Sequence, residues 1–257
     1  MGKKIAGIII ATIMLLGLAA CTAKVNGGKL VIGFDETFAP MGFKDADGSF
    51  KGFDIDVATE VCKRLGLELK LQPIDWPSKE MELNNKNIDA IWNGYSVSDE
   101  RKQKVLFSES YMNNRQVLVV NNDSAYQTMA DLAGKNVGVQ AESSAVDALE
   151  AAAEFKASVK VVKMDTNATL LMDLENGGLD AVLMDVIAAE YSITQLGATY
   201  RVLDESLAGE EYAIGFRKAD TELCAKVNDT LNAMAKDGKL AEISKKWFGK
   251  DITIIGK

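Results

Sequence analysis

The sequence predicts an α/β fold of two similar lobes joined by a two-strand hinge, each lobe a mixed, mostly parallel sheet flanked by helices. Three observations predict it. Strand and helix patterns alternate from residue 29 and restart after residue 115. Glu82–Ile91 aligns without gaps on Asp173–Val182, with leucine, asparagine, aspartate and alanine at matched places. Past Thr221 the chain reads as helix alone, a tail that has to pack on sheet supplied from elsewhere.

The N-terminus reads as an export signal. Lys3 and Lys4 supply the positive end, and the apolar run Ile5 to Leu18 is too short for a comfortable membrane span. Leu18-Ala19-Ala20-Cys21 resembles a bacterial lipobox, so residues 1–20 are expected to be removed and Cys21 to carry lipid. Acyl chains there would hold the protein on the outer face of the cell membrane, each buried methylene contributing roughly 0.8 kcal/mol. Cleavage at Ala20 beside an unmodified cysteine is the alternative. Residues 21–28 form a tether.

Lys29-Leu-Val-Ile-Gly33 is a first strand, Phe53 to Leu65 an amphipathic helix, Leu67 to Pro73 a second strand, Lys79 to Asn85 a helix and Ile88 to Trp92 a third strand. The second lobe offers strands at Val117–Asn121, Asn136–Val139 and Val159–Lys163, with a helix from Ser143 to Phe155. Outgoing and returning crossings are expected at Tyr111–Asn114 and Tyr212–Phe216. The tail breaks at Asp237-Gly238 and returns to the first lobe. The expected division is therefore 29–113 with 211–257 for lobe 1, and 114–210 for lobe 2.

Composition narrows the chemistry. The chain of 257 residues has a formal charge of −8, which becomes −10 when Lys3 and Lys4 leave, and this repels nucleic acid. It contains no histidine, so histidine acid–base catalysis, serine–histidine triads and histidine-ligated metals are excluded. No cofactor or metal site is expected, and a monomer is. Asp45-Ala-Asp-Gly48 begins like a calcium loop but lacks the later ligands, and reads as a turn. Cys62 and Cys224 lie on apolar helical faces; packed thiols and a disulfide are both open.

Several residues sit where strands end. Asn93, Gly94, Tyr95 and Ser96 follow the third strand, with Arg101 soon after, able to fork onto a carboxylate or to be a solvated charge. Asp185 follows a buried apolar run, where it would need a cation or would cap the next helix. Gln140, Ser143 and Ser144 open a helix whose N–H groups attract an anion, although serines there also serve simply as caps. Asp35, Phe38, Trp76 and Tyr95 are placed in loops, the aromatics either as an exposed platform or buried beneath the loops.

Leu30-Val-Ile-Gly-Phe-Asp35, Gly52-Phe-Asp-Ile-Asp56, Ile88-Asp-Ala-Ile-Trp-Asn-Gly-Tyr-Ser96, Asp99-Glu-Arg101, Gly134-Lys-Asn-Val-Gly138, Leu179-Asp-Ala-Val-Leu-Met-Asp185 and Lys246-Trp-Phe-Gly249 together resemble family 3 extracellular solute-binding proteins, which serve ABC importers of polar amino acids. The resemblance implies a type II periplasmic-binding-protein-like fold, a free amino acid as ligand, permease and ATPase subunits as partners, and no catalysis. It implies that Arg101 holds the ligand carboxylate with N–H groups of Ser96 and Ser144, and that Asp185 holds the ammonium with the Ser96 hydroxyl and Gly94 carbonyl. Asp35, Phe38, Trp76, Asn93 and Gln140 would surround the side chain. Asn93-Gly94 stands where many basic-amino-acid binders carry two serines, and Ala145 replaces a polar residue. Asp35 and Glu142 still favour a cationic or amide side chain, so glutamine, arginine or cystine is expected. The competing reading is an enzyme resembling cyclohexadienyl dehydratases, with Glu142 as proton donor.

Overall fold

The computed structural model describes residues 28–195, 197 and 199–257, so the expected signal peptide, Cys21 and nearly all of the tether lie outside the described residues. The first half of the chain forms β1 (Lys29–Phe34), β2 (Thr37–Phe38), β3 (Gly42–Lys44), β4 (Phe50–Lys51), α1 (Phe53–Leu65), β5 (Glu68–Pro73), α2 (Lys79–Asn84), β6 (Ala90–Ser96), α3 (Asp99–Lys104) and β7 (Leu106–Phe107). Then come β8 (Met112–Asn121), β9 (Asn136–Gln140), α4 (Ser144–Ala151), α5 (Ala153–Ser158), β10 (Lys160–Met164), α6 (Asn167–Glu175), β11 (Ala181–Asp185), α7 (Val186–Gln195), β12 (Tyr200–Phe216), α8 (Thr221–Lys236) and α9 (Lys239–Phe248).

One sheet runs in the order β10-β9-β11-β8-β12-β6-β1-β5, with β7 added beside β12. The long antiparallel pair β8–β12 divides it, running from Asn121 opposite Tyr200 to Met112 opposite Tyr212 with register shifts on either side of Ser206. On one side β1 lies parallel to both β5 and β6; on the other β9 lies parallel to β10 and β11. This is the same parallel unit used twice, as the matched segments require, and it points the carboxyl ends of β1, β6, β9 and β11 toward a common crevice.

Local chemistry explains the elements. Helix α1 carries Asp54 and Asp56 in its first turn and Lys63 and Arg64 in its last, and Gly66 closes it at φ 67°. Its apolar face, including Ile55, Ala58, Val61 and Cys62, is buried in the main core. Helices α8 and α9 share that core through Leu223, Val227, Leu231, Met234, Leu240 and Ile243, so the tail does pack on the half that contains α1. Asp45–Gly48 is a turn between β3 and β4, its carboxylates paired with Lys51.

Three expectations are corrected. The third strand is Ala90–Ser96, four residues longer at its carboxyl end than expected, because β12 pairs with it out to Ser96 opposite Tyr212. The expected helix 143–155 is broken at Ala152 (φ −91°, ψ 59°), a turn after which Phe155 joins Leu132 and Leu149 in one cluster. The returning crossing is not a five-residue strand but the end of the 17-residue β12, whose earlier part looks like loop because bulges interrupt it near Ser206.

Cys62 and Cys224 are both buried and unpaired, and burial pushes the Cys62 thiol up to about 12. A reducing agent is therefore expected to leave the melting temperature unchanged. A drop of several degrees on adding dithiothreitol would show that these thiols are joined.

Candidate ligand-binding site

The carboxyl ends of β1, β6, β9 and β11 meet at a narrow cavity lined by Asp35, Phe38, Trp76, Asn93, Gly94, Ser96, Arg101, Gln140, Ser143, Ser144 and Asp185.

Arg101 stands on the short, six-residue helix α3, whose start is fixed by the Ser98 hydroxyl accepting the Arg101 N–H. Its guanidinium is buried, donating from Nη1 to the Ser96 carbonyl at 3.0 Å and from Nη2 to the Glu142 carbonyl at 3.4 Å. It makes no ion pair among the described residues, so a buried cation faces the cavity with neutral partners only. Tyr95 does not line the cavity. It lies within β6, fully buried, its ring 4.7 Å beneath the guanidinium carbon and its hydroxyl donating to Glu80. The placement of Tyr95 as a loop wall is thus corrected: it is a platform under Arg101.

Asp185 ends β11, and Oδ1 accepts from Asn114 Nδ2 at 2.5 Å, Tyr212 Oη at 2.7 Å and Gln116 Nε2 at 3.0 Å. Those partners come from the crossing strands, so its recorded bonds are not those of a helix cap. Burial, and secondarily the Glu210 charge, push its carboxyl well above the usual carboxylate range, up to about 7.

Ser143 stands at the N-cap of α4 without capping it; its hydroxyl donates to the Gln140 carbonyl instead. Ser143 and Ser144 bring the start of α4 to the cavity wall, a setting that attracts an anion. Asp35 Oδ1 accepts from Thr37, its Oδ2 accepts from Gln140 Nε2 at 2.9 Å, and its N–H donates to Asn93 Oδ1. Gly94 adopts φ 58°, and a Cβ there would stand 2.9 Å from Phe38 Cε1, so only glycine leaves this floor open. Phe38 and Trp76 are both buried and both line the cavity.

Five residues escaped the sequence. Asn114, Gln116, Glu210 and Tyr212 are brought together only by the β8–β12 pairing; the one available signal was polar alternation at Asn114 and Gln116 on a crossing strand. Lys79, read as a helix start, is buried under Trp76 and donates to the Glu142 carbonyl at 3.1 Å. Glu142 itself turns at φ 54°, and its side chain is exposed and off the cavity. No group of three or more metal-ligating side chains occurs among the described residues, and no described helix is long and apolar enough to cross a membrane.

Comparison with known proteins gives a consistent picture. The sequence pattern of the bacterial extracellular solute-binding proteins, family 3, matches residues 30–250. The L-cystine-binding protein TcyJ of Escherichia coli (strain K12) is 35% identical over 228 residues, covering 88% of this chain and 85% of its own. An ABC uptake transporter substrate-binding protein of Streptococcus pneumoniae, solved with bound histidine, superposes with a TM-score of 0.86 at 45% identity, covering 89% of this chain and 95% of that one. The ancestral amino acid-binding protein AncCDT-1, described as a precursor of cyclohexadienyl dehydratase, superposes at 0.80 with 32% identity, covering 87% and 97%.

Proposed function

Since the chain belongs to the bacterial extracellular solute-binding proteins, family 3, we propose that it captures one free polar amino acid outside the cytoplasm and delivers it to an ABC importer. Lobe 1 (29–113 and 211–257) and lobe 2 (114–210) close on the ligand about the β8–β12 crossing. The observation that carries this reading is a buried guanidinium without an anion and a buried carboxylate without a cation at one small cavity. A zwitterion supplies both missing charges, and nothing simpler does.

Arg101, the Ser96 and Ser144 backbone and the start of α4 take the carboxylate; Asp185 takes the ammonium. Asp35, Phe38, Trp76, Asn93 and Gln140 surround the side chain. Asp35 and Trp76 also border a wider groove carrying Asp75, Glu82 and Asp165, which favours a cationic or amide-bearing side chain such as that of arginine, glutamine or cystine. Histidine joins these candidates through the pneumococcal relative. Cys21 anchors the protein by lipid to the outer face of the membrane, and permease and ATPase subunits complete the transporter. No step of catalysis is assigned, because Glu142, the carboxylic acid that a dehydratase reading requires, is exposed and does not line the cavity.

Calorimetry against the twenty amino acids, ornithine and cystine tests this. One or a few should bind at about micromolar Kd, roughly 8 kcal/mol. Flat titrations across the whole panel would overturn the assignment.

A further inference from the structure

Lys79, on α2, is 2% exposed and is the only buried lysine among the described residues. It does not line the cavity, and none of the ligand contacts assigned above uses it. Its ammonium has three hydrogens and three oxygens in reach: the Glu142 carbonyl at 3.1 Å, the Trp76 carbonyl at 3.3 Å and Glu80 Oε2 at 3.4 Å. Nζ also stands 5.1 Å from the centre of the Trp76 ring. Two of these partners frame the cavity. Trp76 lines it, and Glu142 directly precedes Ser143 and Ser144, which line it too. Trp76 and Glu80 lie on the same side of the crevice as Lys79, whereas Glu142 lies on the other, between β9 and α4.

We propose that Lys79 is a positioning residue for ligand capture: from the α2 side it holds the Glu142 peptide, and with it the start of α4, against the bound amino acid, and so sets how long the ligand is retained. The proposal rests on the amino-acid-binding reading above, with its two closing lobes. A bond across the crevice exists only while the two sides are together. It therefore stabilises the closed state alone, and slows departure of the ligand rather than speeding its arrival.

The backbone around Glu142 supports this role. The Ser143 N–H donates to the Gln140 carbonyl, closing a turn in which Glu142 takes φ 54°, a conformation uncommon for a residue with a side chain. The Glu142 carbonyl accepts from Arg101 Nη2 at 3.4 Å, so the shorter bond to it is the one from Lys79. Arg101 is also the group assigned to the ligand carboxylate, which leaves Lys79 as the donor committed to the turn. Burial pulls the Lys79 ammonium below the usual lysine range, with Glu80 opposing that shift and Arg101 adding to it. A cation so placed is costly unless its hydrogens are accepted, and one of its three acceptors belongs to the other side of the crevice.

The test is stopped-flow tryptophan fluorescence on the full chain with L-histidine, L-arginine, L-glutamine and L-cystine, together with thermal melts of each ligand-free protein. For whichever of these binds the parent, Lys79→Met should raise the dissociation rate about tenfold, the loss of one hydrogen bond to a charged group, and change the association rate by less than about threefold. Lys79→Arg, which keeps charge and reach, should return the dissociation rate to within about threefold of the parent. Glu142→Gly keeps the carbonyl and suits the positive φ, so the effect of Lys79→Met should persist in that background. A parent-like dissociation rate in folded Lys79→Met, slower association alone, or loss of the effect in Glu142→Gly would overturn the proposal and leave amino-acid binding intact. Should Lys79→Met not fold, Lys79→Gln, whose side chain is one bond shorter, takes its place. If neither folds, the role of Lys79 is structural and the proposal falls. Absence of binding by the parent to all four ligands and the wider panel overturns both.

Discussion

Arg101→Ala is expected to weaken amino-acid binding by on the order of a hundredfold to a thousandfold, the loss typical of removing one partner from a buried, hydrogen-bonded charge pair. Ser96, Glu142 and Tyr95 hold the guanidinium before any ligand arrives, so binding needs little reorganisation of it. Alanine would leave the ligand carboxylate with only N–H donors at the start of α4. The ligand-free variant should be no less stable than the parent, since the mutation also removes an uncompensated buried cation. Calorimetry and thermal melts read the two effects separately. Parent-like affinity in a folded Arg101→Ala protein would remove the guanidinium from the site. Arg101→Lys should fall between, keeping charge but losing the two-pronged donor geometry.

The ligand-free protein is expected to be more stable at about pH 5 than at about pH 8, the reverse of what ion-paired carboxylates alone produce. Asp54 is fully buried in α1, accepting from the Gly94 N–H at 2.7 Å and from Tyr111 Oη at 3.0 Å. Burial outweighs those bonds and pushes its carboxyl up to about 7; Asp185 moves the same way. A carboxyl raised in the folded state contributes its stability fully below the unfolded value near 4, and loses it as pH rises through 7. The carboxylates that are lowered, such as Asp47 at about 2 and those of Asp237 and Asp251, are ionised throughout this interval and do not mask the trend. The difference should be on the order of a few kcal/mol, seen as a shift in urea midpoint. Asp54→Asn, which keeps an acceptor for Gly94 and Tyr111, should flatten part of the slope. A midpoint that is level or higher at about pH 8 would contradict the argument.

Much of this molecule could be read before it was seen, and the failures have a common cause. Helix α1 was legible because its apolar residues recur at helical spacing between acidic and basic ends. Asp185, Asp35 and Gln140 were legible because each lies at the carboxyl end of a strand that had to face the gap, and Arg101 because Asp99-Glu-Arg101 resembles the family motif. Asn93 to Ser96 looked like loop because polar residues and a glycine rarely fill the buried end of a central strand. Here a cavity, the Asp54 carboxylate and the β12 ladder satisfy them. Tyr95 was assigned to the cavity, and strand geometry instead sent its ring beneath Arg101. Glu210 carried no local signal at all. It is one acidic residue among several in a polar stretch, and its meaning depends on partners 66 to 114 residues away.

The left-handed turn at Glu142 has a consequence for how the protein lets go. One peptide oxygen from the β9 side receives both the Lys79 ammonium and the Arg101 guanidinium from the β6 side. Parting the halves would strip both donors from that one oxygen. Opening the crevice would thus cost both bonds together rather than one at a time.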